Sequence, residues 1–251
     1  MPDYRAFCLP PNPDAPELTL DADESHHLVS VNRAGAGDTV TLFDGAGAEW
    51  ICTLQNPDRR AAVLQVRFRS KAKPLAYRVS LGQALPKGPA MDAIVRKATE
   101  LGAARIVPLE SERTQVRLEE ERGDRKVEKW RQASIEAAKQ CGNPWLPRIE
   151  PVQPAARFME QSRGYDLKLI ASLQPGARSL KSALADFRAE RGHGPREALW
   201  LVGPEGDFTP AELSVAQSAG FVPITLGPLV LRCETAAIYA LSVLSYELQN
   251  P

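Results

Sequence analysis

The chain has 251 residues, 43% hydrophobic and 25% charged, and its 31 basic and 31 acidic side chains cancel. That length holds one large domain or two smaller ones, and the composition excludes a fibrous or disordered chain. No run approaches the ~18 apolar residues of a membrane-spanning helix, and zero net charge excludes a protein that grips nucleic acid by bulk charge alone. The charge is unevenly spread, however. Residues 1–72 carry 7 Lys/Arg against 10 Asp/Glu, residues 73–150 carry 15 against 11, and residues 151–251 carry 9 against 10. The basic excess of the middle third is either a solvated surface or a patch able to contact phosphates.

The N-terminal stretch "MPDYRAFCLPPNPDAP" has no basic segment followed by an apolar one, so no signal peptide is expected and the expected location is cytoplasmic. Across residues 1–72, short β-type runs ("DTVTLFDG", "AEWICTLQ", "AAVLQVRFRS") are separated by Gly, Asp, Asn and Pro, which predicts a small antiparallel barrel or sheet. A polar segment around Ser70 to Leu75, interrupted by Pro74, marks a boundary between residues 1–72 and 73–251.

Beyond it, strand and helix patterns alternate. "YRVSLGQAL" reads as a strand. "PAMDAIVRKATELGA" reads as a helix that aligns Met91, Ile94, Val95, Ala98 and Leu101, with Pro89 at its first turn and Gly102 at its end. "RIVPLE" is a strand, and "VEKWRQASIEAAKQCG" a helix entered through the charge run "RLEEERGDRKVEKW". Then follow "DLKLIASL" (strand), "SLKSALADFRAE" (helix), "EALWLVGPEG" (strand into loop), "TPAELSVAQSAG" (helix), "FVPITLG" (strand) and "ETAAIYALSVLSYELQ" (helix). Such alternation predicts an α/β domain with a mainly parallel sheet.

Two loops stand out. In "GPEGDFTPAE", Thr209 can cap the next helix, Pro210 suits its first position and Glu212 completes a capping box. Gly203 and Gly206 allow close backbone approach or positive φ at the carboxyl end of a strand, where open α/β sheets bind ligands. The glycine spacing is neither that of the dinucleotide fingerprint nor that of the Walker phosphate loop, so turn and ligand site stay open. "ITLGPLVLRCETA" repeats the design, which places two glycine-ended strands at one rim. There Glu234 complements the positive end of the final helix, whereas Arg232 is a cation where a cation is unfavourable without an anion or acceptor beside it. Cys8, Cys52, Cys141 and Cys233 lie far apart without a C-x-x-C pair and are expected to be buried or incidental thiols; no metal site is expected. His26 and His27 are expected to be structural.

Taken in order, "HHLVSVNRAGAGDTVTLFDG", "KATELGAARIVPLESERTQ", "EAAKQCGNPWLP", "LVGPEGDF" and "LGPLVLRCETA" resemble the bacterial small-subunit (16S) ribosomal RNA uridine-N3 methyltransferases of the SPOUT superfamily. The resemblance implies an N-terminal PUA-like β-barrel that binds RNA, residues 1–72, and a SPOUT α/β domain with a deep trefoil knot, residues 73–251. It implies a homodimer that uses S-adenosylmethionine and no metal to methylate N3 of a uridine in 16S ribosomal RNA, on the assembled small subunit. Its cofactor pocket maps onto Leu173, Gly203, Pro204, Glu205, Gly206, Leu226, Gly227, Leu231, Arg232, Thr235 and Ala236. Arg232 is the implied catalytic cation, with Glu205 and Glu234 as candidate bases, and Arg33, Arg96 and Lys97 are the implied RNA contacts.

Leu229 and Asn143 stand where the family commonly has arginine, and Asp207 where it has glycine. Another RNA nucleotide as target is the alternative within the superfamily. Outside it stand a non-catalytic PUA-like RNA-binding protein and a metabolic α/β enzyme that binds a phosphorylated small molecule.

Overall fold

In the computed structural model, which describes residues 4–114 and 120–249, the chain forms two compact units. One holds the chain up to Pro74 together with Ile135–Leu146; the other holds Leu75–Ser134 and the chain from Pro147 onward.

The first unit is built on β1 (Tyr4–Phe7), β2 (Glu17–Thr19), β3 (Thr39–Phe43), β4 (Ala48–Asn56) and β5 (Val63–Lys71), in sheet order β1-β3-β4-β5-β2. Three of the pairings are antiparallel, as the alternating pattern implies, but β1 joins β3 in parallel. The sheet curls into a half-barrel, and no pairing among the described residues joins its two edge strands. Alternation puts Val40, Leu42, Cys52, Leu54 and Leu64 into one core. α1 (Ala22–His26) is capped by Asp21 and runs into a π-helical turn over His27–Val31. Its Ser25 hydroxyl accepts the Ala62 N–H at 2.9 Å, which leaves no buried donor unpaired at that crossing.

The segment Ile135–Leu146 joins this unit through polar contacts that hydrophobic periodicity does not reveal. Lys139, only 7% exposed, pairs with Glu24 at 2.8 Å and Glu136 at 2.6 Å. The Trp145 ring lies over Gly47, where a Cβ would come within 2.3 Å of it.

The second unit contains β6 (Arg78–Ala84), α2 (Ala90–Glu100), β7 (Arg105–Glu110), α3 (Glu120–Cys141, whose last turns belong to the first unit), β8 (Arg148–Ile149), β9 (Gln153–Pro154) and α4 (Ala155–Gln161). After these come β10 (Leu167–Ala171), α5 (Leu180–Arg191), β11 (Glu197–Val202), α6 (Pro210–Ser218), β12 (Val222–Ile224) and α7 (Cys233–Gln249). The strand order is β12-β10-β11-β6-β7-β8, with β9 also on β7, and every pairing is parallel. Of the charge run before α3, residues 117–119 lie outside the described residues.

β11 shows why the sheet is covered on both faces. Its Ala198, Trp200 and Val202 enter one core with residues of α2, α3, α5 and α7; Leu199 and Leu201 enter another with α4 and α6. A continuous apolar run is what a strand buried on both faces requires. Each fully buried Leu, Ile or Val stabilises the fold by about 1.5–3 kcal/mol.

Candidate active site

β12, β10 and β11 lie side by side and parallel, so the loops leaving their carboxyl ends share one rim, the position at which open α/β sheets bind ligands. The loops enclose a cleft lined by Ser172, Gly203, Glu205, Leu226, Leu231 and Ala236, among others, a concave and mostly apolar site of the kind that small molecules occupy.

The loop after β11 is held from several sides. The Asp207 N–H donates to Pro204 O at 2.9 Å, Arg113 Nη1 to Gly206 O at 2.6 Å, and the Lys87 N–H to Glu205 Oε1 at 2.9 Å. The predicted capping box is formed: the Glu212 N–H donates to Thr209 Oγ1 at 3.2 Å, and Glu212 Oε2 accepts the Thr209 N–H at 2.9 Å. Buried Glu212 also accepts the Glu112 N–H through Oε1, at 3.0 Å, so one carboxylate satisfies two loops. The left-handed turn falls on Asp207, with φ 58°, and on neither Gly203 nor Gly206. Asp tolerates that conformation better than most residues, and Oδ1 here accepts the Phe208 N–H at 2.7 Å. Glycine in this place would take the same φ without strain, which explains how the two residues can exchange.

In the loop after β12, Gly227 has φ 114°, a conformation only glycine adopts readily, and its N–H donates to Thr225 Oγ1 at 3.1 Å. The chain then runs through Leu229 and Val230, 72% and 79% exposed, into α7. The loop after β10 is tied to β12 by the Ser172 N–H, which donates to Ile224 O at 3.0 Å.

Of the residues implied for the cofactor, Leu173, Gly203, Pro204, Glu205, Leu226, Gly227, Leu231 and Ala236 line this cleft. Gly206, Arg232 and Thr235 do not: Gly206 packs against Arg113, and the other two side chains are exposed beyond the lining residues Leu231 and Cys233. The Arg232 guanidinium makes no hydrogen bond or ion pair to the described residues. Residue patterns missed Ala171, Ser172, Val202, Asp207, Leu229, Val230 and Cys233 as lining. The signal that would find Ser172 is the strand order, since β10 lies between the two glycine-ended strands.

The cleft is electrostatically one-sided. Its lining includes Glu205 and Asp207 and no Lys or Arg. Burial, then the Glu205 and Glu234 carboxylates, push the Cys233 thiol up to about 11. Apart from Ser172 and backbone groups, the remaining walls are apolar. Such a cleft suits a ligand with a flat apolar part and a positive charge.

The implied RNA contacts lie elsewhere. Arg33 is exposed with φ 60° at the end of the π-helical turn, where the Ala34 N–H closes onto Leu28 O at 3.1 Å. Arg96 and Lys97 are exposed on α2, and Lys97 is paired with Glu100 at 2.8 Å. His26 is exposed, and His27 faces Glu136 at 3.5 Å. Among the described residues no helix is long and apolar enough to cross a membrane, and no cluster of His, Cys, Asp and Glu could hold a metal.

Residues 73–245 match the family described as the RNA methyltransferase domain, and residues 20–67 the RNA methyltransferase PUA domain. The chain is 30% identical to ribosomal RNA small subunit methyltransferase E of Bacillus subtilis over 93% of this chain and 91% of that protein. It is also 30% identical to the protein of the same name from Synechocystis over 98% of this chain and 78% of that one. Among solved structures, a Legionella pneumophila methyltransferase in complex with bound SAM superposes with a TM-score of 0.86 at 29% identity, covering 98% of each chain. Ribosomal RNA small subunit methyltransferase E of Neisseria gonorrhoeae, bound to S-adenosyl methionine, superposes with a TM-score of 0.85 at 26% identity, again over 98% of each. Matched in both of its parts and aligned nearly end to end with these relatives, the chain belongs to the ribosomal RNA small subunit methyltransferase E family.

Proposed function

We propose that this protein transfers the methyl group of S-adenosylmethionine to N3 of a uridine in small-subunit ribosomal RNA. The observation that carries the reading is the rim cleft of β10, β11 and β12, in a chain of this family. The residues present fit the cofactor. Leu226, Leu231, Val202 and Ala236 offer apolar walls for an adenine ring, backbone at 203–205 and 226–227 offers donors and acceptors, and Glu205 and Asp207 favour the sulfonium charge.

When bound, the cofactor supplies a methyl group on a positively charged sulfur, which is already a good leaving group. The protein's part is to place the uridine and manage its charge. Holding N3 within roughly 3–3.5 Å of the methyl carbon removes orientational freedom from the barrier. As the N3 proton leaves, negative charge spreads onto O2 and O4, and in this reading Arg232 supplies the cation that stabilises it. Glu205 and Glu234, the carboxylates beside Cys233, are the groups available to accept that proton. The target base has to be unpaired or flipped to reach the rim.

In this reading residues 1–72 bind RNA, with Arg33 as a contact, and residues 73–251 carry the reaction, with Arg96 and Lys97 toward the RNA. The chain path through the loops after β11 and β12 is knotted, the substrate is the assembled small subunit, and the protein works in the cytoplasm as a homodimer. The exposed Tyr239 (47%) and Tyr246 (67%) on one face of α7, with Leu229 and Val230, support the dimer, because a large apolar surface is otherwise costly in a monomer. A mass-spectrometric map of ribosomal RNA from cells with and without the protein tests the reading. A 3-methyluridine lost from the small-subunit RNA is expected; a different nucleotide lost would move the activity within the superfamily, and no change would remove it.

A further inference from the structure

We propose that the outer face of β4 and β5 is a stacking platform for an unpaired base of single-stranded RNA, with Phe68 as the platform and Arg67 as its cationic flank. The proposal rests on the RNA-methylating reading above and names a surface, within the first unit, for the RNA partner.

The argument begins with register. Ile51 pairs with Phe68 but Cys52 pairs with Val66, so Arg67 is an extra residue in β5. In an ordinary strand, neighbours 67 and 68 would point to opposite faces. The bulge re-aims one of them. Cys52 is fully buried and Val66 packs on the core, so the inner face is accounted for. Phe68 is 60% exposed and Ile51 39%, which puts this pair on the outer face. Arg67 Nε donates to Thr53 Oγ1 at 3.0 Å, and Thr53, two residues from Ile51, shares Ile51's face. Arg67 and Phe68 are therefore consecutive in sequence and side by side on one surface.

Next to them the Gln55 amide donates to Gln65 Oε1 at 3.0 Å, on the strand pair that joins Thr53 to Gln65. The result is a sheet face with one exposed ring, one guanidinium and two amides. Sheet faces of that kind bind unpaired bases by stacking on the ring and hydrogen bonding at the base edge.

Charge selects RNA over a protein occupant. Residues 63–77 include Arg67, Arg69, Lys71 and Lys73 and no Asp or Glu. Arg69, opposite buried Trp50 and held by the Asp14 and Ala15 carbonyls at 2.9 and 2.7 Å, lies across the strand from Phe68, so Arg67 is the cation beside the ring. An exposed pair of apolar side chains is too small to drive a stable protein interface, whereas a ring beside the Arg67 guanidinium is enough to hold a base.

The test uses the full-length protein and an oligouridylate of roughly ten nucleotides with 4-thiouridine, the length of a typical stacking site. Wild type is expected to bind it and, on irradiation, to cross-link at Phe68 or Arg67. Phe68→Ala is expected to weaken binding roughly ten-fold and Phe68→Trp to retain it. Arg67→Ala is expected to lower the salt slope by about 0.7. Cofactor affinity is expected to be the same in all variants. Equal binding by Phe68→Ala, cross-links only elsewhere, or no binding by wild type would each overturn the platform. So would a change of oligomeric state in Phe68→Ala, which would make the face a contact between copies. Failure of wild type to bind S-adenosylmethionine would instead count against the enzymatic reading, so the two failures are separable.

Discussion

The Lys87 backbone N–H donates to Glu205 Oε1 at 2.9 Å, which clips the loop after β6 to the loop after β11 that lines the rim cleft. Glu205 thus has two jobs: it orders a second loop, and it supplies one of the cleft's carboxylates. Replacing it by alanine removes both. Calorimetry is expected to show S-adenosylmethionine binding weakened about ten-fold in Glu205→Ala. Glu205→Gln keeps an acceptor for Lys87 and loses only the charge, so its affinity is expected to fall between the two. Unchanged affinity in Glu205→Ala would remove Glu205 from the site.

Asp207 bears the strain of the same loop. With φ 58° and its own side chain on the Phe208 N–H, it is the tightest turn of the segment. Asp207→Ala is expected to lower stability by about 1–2 kcal/mol in urea unfolding, since alanine has neither the tolerance nor the acceptor. Asp207→Gly is expected to stay within about 1 kcal/mol of wild type. Equal losses in the two variants would show that φ is not what limits the position.

The buried thiols make the fold sensitive to alkaline pH. Burial raises Cys8 to about 11, with Asp21 and Glu24 adding to it, and Cys52 to about 12. Cys233 is raised to about 11. A thiol whose folded pKa exceeds its unfolded value of 9.0 stabilises the fold fully below pH 9. That contribution is lost as pH rises toward 11. The urea midpoint is therefore expected to fall between pH 9 and 11, and to fall less steeply in Cys233→Ala. Exposed Cys141 is expected to react with a thiol reagent first in the native protein, with Cys233 reacting only on unfolding.

The proposed dimer is expected to rest on the exposed face of α7. Tyr239→Glu with Tyr246→Glu is expected to weaken self-association roughly thirty-fold or more in sedimentation equilibrium while leaving the helical signal intact. A wild-type monomer at every concentration would contradict the dimer.

The final helices, the capping box at Thr209 and the parallel sheet were all legible because they depend on local chemistry. A run such as "EALWLV" has one stable home, a strand covered on both faces. The site was half legible. Gly203 and Gly227 advertise unusual backbone, yet the cleft needs β10 between β11 and β12, and strand order is a property of long-range pairing that no short segment carries. The same limit hid the parallel β1–β3 pair and the attachment of Ile135–Leu146 to the first unit, which turns on the ion pairs of Lys139. The Arg67 bulge was invisible for a further reason: the alternation of Leu64, Val66 and Phe68 runs on through it in the sequence and would put Phe68 on the inner face, whereas the bulge turns it outward.

The central claim is that the rim cleft holds S-adenosylmethionine and that Arg232 serves the transfer and not the binding. The most direct measurement is methyl transfer from tritiated S-adenosylmethionine to small-subunit particles by wild type and Arg232→Ala, alongside calorimetry of the cofactor with each. The account predicts that wild type labels N3 of a uridine, that Arg232→Ala binds cofactor like wild type, and that its turnover falls by about 10²–10³. Full turnover in Arg232→Ala, or no cofactor binding by wild type, would contradict it.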